Sequence, residues 1–463
     1  MSLHITLTDF FCGAGGSSTG AVEVEGVAVR AAANHWQLAV ETHNANHPDA
    51  DHYCADLSQI HPVYFPKTTM GWFSPECTNH SQAKGRKRVD TQPDLFGDTL
   101  PDEAAERSRA TMWDVIRFSE FHQYEMVFVE NVVEAAAWAP FPAWLAAMES
   151  LGYDHQLVML NSMHAQLAGF GAPQSRDRLY VVFWRRGNRK PDLERIVRPR
   201  AVCPDCGPID AMQVFKKPGN TVGRYRQQYA FRCPKTKCRN RVVEPLVRVA
   251  GDIIDWSLLG ERLGDKSLKK FVDKKTGEVS YGPLAPKTMA RVRAGIDRYW
   301  LPLLVPVEGR EGKEARPVSE PVRTMTTRSE TGLLVPCGGT WRDGAAPTSE
   351  PFSTRTTRET DGLAFIAELR GGSSDARPVS RPLATVTASG NHHALVISDE
   401  RPTIDLDDVR FRMLEPREIK RAMDFPADYV IKGNRREQVR MAGNAVTPPS
   451  SRDLITAGVE SLT

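Results

Sequence analysis

The chain has 463 residues, of which 25% are charged and 41% hydrophobic, and a formal net charge of +3 at pH 7. That length allows two or three domains with full cores, and the composition is that of a soluble globular protein. A charge this small does not by itself announce nucleic-acid binding, although KGRKR at 84–88 and the stretch 216–241 concentrate basic residues.

LHITLTDFF, at 3–11, reads as a buried strand, and GAGGSSTGAVEVEG as a glycine turn passing into a helix. VAVRAAAN is a second strand and HWQLAVETHNANHP a second helix, and Asp56 follows the next strand in HYCADLS. MGWFSP, EMVFVENV and RLYVVFWR are short apolar runs suited to strands, whereas EAAERSRATMWDVIRFSEFHQ and FPAWLAAMESLG carry helical spacing. Strands alternating with helices over the first 185 residues imply a mostly parallel sheet covered on both faces.

Residues 186–245 are basic, bear Pro and Gly, and carry paired cysteines. YGPLAPKTMARVRAGIDR, at 281–298, reads as a loop and then a helix with Pro286 near its start. An internal repeat follows, with units beginning at Ala315 (ARPVSEPVRTMTTRSETGLLV), Ala345 (AAPTSEPFSTRTTRETDGLAF) and Ala376 (ARPVSRPLATVTASGNHHALV). Each unit has Pro-bounded turns, a Thr-rich short strand and a closing apolar strand, a small β-rich module. RMLEPREIKRAMDFPADY gives a helix opened by Pro416, and MAGNAVTPPSSRDLITAGVESL a loop and a helix.

No apolar run reaches membrane-spanning length, and a Thr-Asp pair interrupts the apolar N-terminus where a signal peptide would be continuous, so a cytoplasmic protein is expected. There the eight cysteines are metal-binding, catalytic or core residues rather than disulfides. Cys77, in GWFSPECTNHSQ, is by itself a small core residue, a metal ligand or a nucleophile. The glycine turn lets backbone N–H groups approach a cofactor at a helix N-terminus, or lets a helix pack tightly on a strand. Trp36 and Asp56, an aromatic face and a carboxylate at successive strand ends, suit an adenosine. Cys203, Cys206, Cys233 and Cys238 form two short-spaced pairs around a hairpin-sized insert, the pattern of a structural zinc ribbon; the alternative is two unrelated pairs of thiols. Lys216, Lys217, Arg224, Tyr225, Arg226, Tyr229, Phe231, Arg232, Lys237, Arg239 and Arg241 interleave basic and aromatic residues as a phosphate-contacting surface would, or as a solvated basic hairpin.

DFFCGAGG, SPECTNHS, FVENV, QSRDRLYVVF, LEPREIKRAMDFP and MAGNAVTPP occur in this order. Together they resemble the ordered motifs of the DNA cytosine-C5 methyltransferases, especially phage and bacterial members, over residues 3–185 and 408–460. The resemblance implies an α/β, Rossmann-like S-adenosylmethionine-dependent methyltransferase domain (1–190 and 406–463). Between its parts lies a mixed, β-rich target-recognition insert (191–405), with a zinc ribbon near 200–245 and the three-fold repeat near 315–397. It implies methyl transfer to cytosine C5 in double-stranded DNA by a monomer, in a restriction-modification or phage anti-restriction setting, with a restriction endonuclease as a conceivable partner.

By resemblance, Cys77 is the nucleophile that adds to C6 of a flipped cytosine, making C5 reactive toward the sulfonium methyl. Glu130 acts at cytosine N3, Arg176 and Arg178 hold cytosine O2 and the active-site loop, and Asn131 positions that loop. Asp9, Phe11, Gly13, Gly15, Gly16, His35, Trp36, Asp56, Glu76 and Asn444 fall where the cofactor binds. KGRKRVDTQPDLFGDTLP is the candidate lid.

Three residues depart from the family pattern. Glu76 stands where Pro is usual and would raise the thiol pKa unless paired, with Lys84 or Arg86 as candidates. His35 stands where an acid usually grips the ribose, and Glu415 where Thr is common. These departures leave open an altered cofactor and a catalytically idle DNA-binding homologue, and the scaffold also suits an RNA cytosine methyltransferase.

Overall fold

The computed structural model describes residues 4–75, 91–93, 99–101, 103–248 and 409–463, and between 250 and 407 the strands and short segments named below. Glu76, Cys77 and the basic half of the candidate lid lie outside the described residues, as does most of 281–298. The chain divides into two compact units: Met1–Ile253 with Pro382–Asn391 and Pro416–Thr463, and Ile254–Arg381 with His392–Glu415.

The first unit is built on a seven-stranded sheet. Strands β1 (Ile5–Phe10), β2 (Val27–Asn34), β3 (Asp51–Cys54) and β4 (Met70–Phe73) are followed by the small antiparallel hairpin β5 (Thr91–Pro93) and β6 (Thr99–Pro101). Then come β7 (Met126–Asn131), β8 (Tyr153–Asn161), the two-residue β9 (Gln174–Ser175) and β10 (Asp177–Arg185). The sheet order is β3-β2-β1-β4-β7-β10-β8. The first five strands run parallel, whereas β10 is antiparallel to both neighbours.

Alternation along these strands sorts the side chains into two cores. Phe10, Phe73, Val127, Val129, Val181 and Phe183 pack with Met112, Val115 and Phe118 of α3 (Glu103–His122) and with Trp144 and Met148 of α4 (Phe141–Ser150). Leu7, Trp72, Met126, Phe128 and Val182 point the other way, onto Leu454 and Ile455 of the last helix. Both faces are covered, which is why the central strands read as unbroken apolar runs.

Two glycines set how closely the last helix sits on the first. Helix α1 (Gly16–Val22) packs beside the start of the Pro448–Leu462 helix. A Cβ on Gly16 would lie 1.9 Å from the Val446 carbonyl oxygen, and one on Gly20 would lie 2.1 Å from Ser451 Oγ. Only residues without side chains allow this approach. The intervening helices are α2 (Gln37–Asn46), α5 (Pro416–Ala422) and α6 (Arg435–Asn444), so the last is α7. Asn434 and Glu437 form a capping box that fixes the start of α6.

Residues 200–243 belong to this same unit. Strands β11 (Arg200–Cys203) and β12 (Gly207–Asp210) form one hairpin, and β13 (Met212–Phe215), β14 (Tyr229–Arg232) and β15 (Val242–Val243) a three-stranded sheet. Tyr229, Phe231 and Cys233 join the core that contains Val181 and Phe183.

The second unit carries the repeat. Glu261–Arg262, Val409–Met413, His393–Ser398, Ala364–Glu368 and Ala376–Pro378 pair in that order as an antiparallel sheet. Leu303–Pro306 pairs with Arg316–Pro317 and with Thr331–Leu334, and Lys269–Val272 with Val279–Gly282. One rule underlies the repeat: an apolar strand pairs both with the Arg-Pro opening of the next unit and with that unit's closing strand. It holds for the units beginning at Ala315 and Ala376. The Thr-rich segments TMTT and TRTT lie outside the described residues.

Candidate active site

The turn after β1 is left-handed three times, at Phe11 (φ 58°), Gly13 (φ 52°) and Gly15 (φ 81°). Gly15 is the N-cap of α1 and offers no side chain to the helix. Asp9 acts there instead: its Oδ2 accepts from Ser17 Oγ and Ser18 Oγ, each at 2.6 Å. Asp9 is fully buried, which pushes its pKa up to about 6 against the lowering effect of the two hydroxyls. Its Oδ1 has no hydrogen-bond partner among the described residues.

Behind Ser18 the polar chain continues. His43 Nε2 lies 2.8 Å from Ser18 Oγ, and His43 Nδ1 lies 2.8 Å from His52 Nε2. Because the Ser18 hydroxyl proton goes to Asp9, His43 Nε2 must be the donor to Ser18 Oγ. Burial holds the His43 pKa well below 6.5, so the ring is neutral and its Nδ1 accepts from His52. The glycine turn therefore rests on a hydrogen-bonded relay reaching half-buried His52.

Trp36 is the N-cap of α2, tied by its backbone N–H to Asn34 Oδ1 at 2.9 Å, and the Arg440 guanidinium lies 4.8 Å from its ring centroid. His35 and Asp56 are exposed. Asp56 Oδ1 accepts from the Ser58 backbone N–H at 3.1 Å and hydroxyl at 2.8 Å, which fixes the loop after β3. Asn444 is the exposed last residue of α6.

At the neighbouring strand ends stand the residues expected to meet the base. Arg178 Nε, on β10, lies 2.7 Å from Glu130 Oε1, on β7, and both side chains are largely buried. Asn131 Nδ2 lies 3.5 Å from the Pro75 carbonyl, two residues before Cys77. The two arginines of QSRDR have different partners among the described residues. Arg176 is buried, and its guanidinium donates to the carbonyls of Gly443 at 3.0 Å and Ala445 at 3.1 Å. It clamps the backbone on either side of Asn444, while Arg178 faces Glu130.

Residues 5–218 and 336–459 match the family model of the C-5 cytosine-specific DNA methylases. The chain belongs to that family. The methylase also resembles solved structures covering 99% of both chains: a putative DNA modification methyltransferase from an Escherichia coli prophage (15% identity, TM-score 0.48), the Entamoeba histolytica methyltransferase EhMeth (10%, 0.48) and Schizosaccharomyces pombe Dnmt2 (12%, 0.49). No curated protein sequence matches it. Family membership implies methyl transfer from S-adenosylmethionine to cytosine, and the Rossmann-like fold is that of such methyltransferases.

The methylase brings its four paired cysteines together. The sulfurs of Cys203, Cys206, Cys233 and Cys238 all lie within 4.8 Å of one another. A tetrahedral zinc–thiolate site needs sulfurs about 3.8 Å apart, from bonds of about 2.3 Å, so only a small contraction separates this cluster from a closed site. Each pair sits on a tight turn, the first ending in Gly207 (φ 75°) and the second in Arg239 (φ 56°). The Arg241 backbone N–H draws the Cys238 thiol pKa down, to about 7.

The interleaved pattern divides: its aromatics are core residues, whereas Lys216, Lys217, Arg226, Arg232, Lys237, Arg239 and Arg241 are exposed. Tyr225, Tyr229 and Phe231 are buried, and Arg224, Arg226 and Arg241 pair with Glu134, Glu244 and Asp205. Sequence reasoning also passed over Asp177, between the two arginines. Its Oδ1 accepts from the Tyr225 backbone N–H at 3.0 Å and the Tyr229 hydroxyl at 3.3 Å. Period-two alternation was the available signal, since it sends Asp177 to the face opposite Arg178.

Proposed function

We propose that the chain methylates C5 of a cytosine in double-stranded DNA, with Cys77 as the attacking thiolate on a base turned out of the stack. The observation that carries this reading is the Glu130–Arg178 pair, beside the strand β4 that leads to Cys77. A carboxyl oriented by a guanidinium is suited to hydrogen-bond or protonate cytosine N3 as the thiolate adds to C6. Addition forms the S–C6 bond and places electron density on C5. C5 would then bond to the methyl carbon as that carbon's bond to the sulfonium sulfur breaks, leaving a neutral thioether, and loss of the C5 proton would re-form the C5–C6 double bond and expel the thiolate.

S-adenosylmethionine supplies the methyl group. The residues fit such a molecule: a left-handed glycine turn backed by the buried acid Asp9, the half-buried Trp36 ring, and Asn444 on a backbone clamped by Arg176. Gly13 would allow its close approach, since a Cβ there meets nothing nearer than 3.9 Å, whereas the space beside Gly15 and Gly16 is taken by Tyr429 and Val446; Trp36 and Asp56 would meet its adenosine. In the same reading the four cysteines hold a structural zinc.

The test is covalent capture. Duplex DNA bearing 5-fluorocytosine, incubated with the protein and S-adenosylmethionine, is expected to give a stable protein–DNA adduct that Cys77→Ser lacks, and bisulfite sequencing of DNA from expressing cells should show new 5-methylcytosine. Methylation undiminished in Cys77→Ser would overturn the nucleophile. Transfer to RNA but not to duplex DNA would overturn the substrate.

A further inference from the structure

A zinc ribbon attached only to read DNA would touch the catalytic sheet lightly. This one does not, although Lys216, Lys217, Arg226, Arg232, Lys237, Arg239 and Arg241 are exposed. Gln213 Nε2 donates to the Met159 carbonyl at 2.9 Å, and Arg200 donates to the Gly169 carbonyl at 2.9 Å. Buried His164 meets Tyr225 and Phe231 edge-on, with ring centroids 4.5 and 4.8 Å away.

Two further contacts land beside the residues proposed for the base. Arg224 pairs with Glu134, four residues beyond Glu130. Tyr225 and Tyr229 donate to Asp177, the residue between Arg176 and Arg178. The same turn, 224–229, thus holds the segment after β7 and the start of β10, the two elements that carry the Glu130–Arg178 pair.

That turn is tied to the cysteines through a single strand. Tyr229 opens β14 and Arg232 ends it, and Cys233 follows directly. β14 is paired on one side with β13, where Phe215 faces Tyr229 and Met212 faces Arg232, and on the other with β15. A metal joining Cys233 and Cys238 to Cys203 and Cys206 would fix this strand at one end, and Tyr229 would transmit its position from the other.

We propose that the four-cysteine ribbon is part of the catalytic scaffold: closed by its metal, it sets the Glu130–Arg178 pair through Arg224–Glu134 and through Tyr225 and Tyr229 on Asp177. Asp177, Glu134, Arg224 and Tyr229 are positioning residues, since none of them is placed at the reacting base. The inference rests on the functional reading above.

A reading head and a scaffold differ in what fails. Removing metal from a reading head raises the KM for DNA and loosens discrimination, but saturating duplex restores the rate. Removing it from a scaffold lowers kcat even at saturation. The experiment compares the full-length zinc-loaded protein with protein stripped by a chelator, measuring kcat and KM for duplex DNA, the Kd for S-adenosylmethionine, and amide hydrogen exchange along 177–182. We expect kcat to fall by about tenfold or more with cofactor affinity nearly unchanged, and exchange at the start of β10 to accelerate.

If the stripped protein unfolds, Arg224→Gln and Tyr229→Phe carry the test with zinc retained. Each should lower kcat by about three- to tenfold, the scale of one lost hydrogen bond or ion pair, and leave zinc content at wild-type stoichiometry. Unchanged kcat in both variants, or a stripped protein altered only in KM, overturns the proposal. A wild-type protein inactive on duplex DNA would sink the functional reading alone, because metal-dependent exchange at 177–182 would still decide whether the ribbon holds that strand.

Discussion

Arg178 meets Glu130 diagonally across the antiparallel β7–β10 ladder, in which Tyr180 is the residue directly opposite Glu130. Arg178 uses Nε for the carboxylate and Nη1 for the Asp177 carbonyl at 2.9 Å, so its guanidinium is fixed by two separate acceptors. A lysine could satisfy one of them but not both in the same plane.

Glu130→Gln should therefore reduce single-turnover methyl transfer by about two to four orders of magnitude, the range for a positioned acid or base. Arg178→Lys should reduce it by about tenfold to a hundredfold. Binding of S-adenosylmethionine, measured by calorimetry, should be little changed in either. Full activity in Glu130→Gln would remove the carboxyl from the chemistry.

Arg176 carries a different expectation from its neighbour. It holds the carbonyls flanking Asn444, so losing it leaves two buried acceptors exposed to one another without a donor. Arg176→Met should destabilise the fold by about 1–3 kcal/mol or more for these groups and weaken cofactor binding more than it weakens DNA binding. A variant that binds S-adenosylmethionine normally but fails on the base would return Arg176 to the role its motif suggests.

Gly16→Ala tests the seam between α1 and α7. The added methyl would meet a backbone carbonyl, which cannot swing aside as a side chain can. A cost of about 3 kcal/mol, the upper end for overpacking, is expected in denaturant titration. A midpoint equal to wild type would mean that the helices separate at little cost.

His164 predicts a pH dependence. Its ring is fully buried, lacks a hydrogen-bond partner among the described residues, and is held down to about 3 by burial, from 6.5. Above pH 6.5 both folded and unfolded rings are neutral, so the favourable term is fully present. As the pH falls the unfolded chain takes up a proton that the folded ring refuses, and stability drops by about 1.4 kcal/mol per pH unit. His164→Phe keeps an aromatic ring against Tyr225 and Phe231 and removes this loss. Urea unfolding between about pH 6 and 4 should then show a slope shallower by that amount, and identical slopes would contradict the burial of a neutral ring.

The central strands were legible because both faces of the sheet are covered, so MGWF and the MVFV of β7 are unbroken apolar runs. β8 was not, although it is a full nine-residue strand. It lies at the sheet edge, and DHQ at 154–156 interrupts its apolar pattern. The glycine turn, Glu130 and the cysteine pairs were readable because their residue types serve local geometry or chemistry. The partners of Arg176, Asp177 and Glu134 are set by contacts 48 to 269 residues away in sequence, and no local pattern encodes them. The pairing of Gln174–Ser175 with Leu383–Ala384 is hidden for the same reason. Along the ribbon the aromatics turn inward and most of the basic residues outward, because alternation on a strand sends successive side chains to opposite faces.

The fit of Gly16 against Val446, together with the Ser451 hydroxyl on the Gly16 carbonyl across 435 positions of sequence, has a consequence for biosynthesis. At about 5–20 residues per second, the ribosome needs on the order of tens of seconds to deliver the second partner after the first has emerged. Through that interval the first turn of α1, with Asp9 and its two serines, has a bare flank where α7 will later lie. The nascent protein is thus a sheet with all its strands but without its last helix, and a chaperone that shields that flank should raise the yield of active enzyme more than one acting on the finished chain.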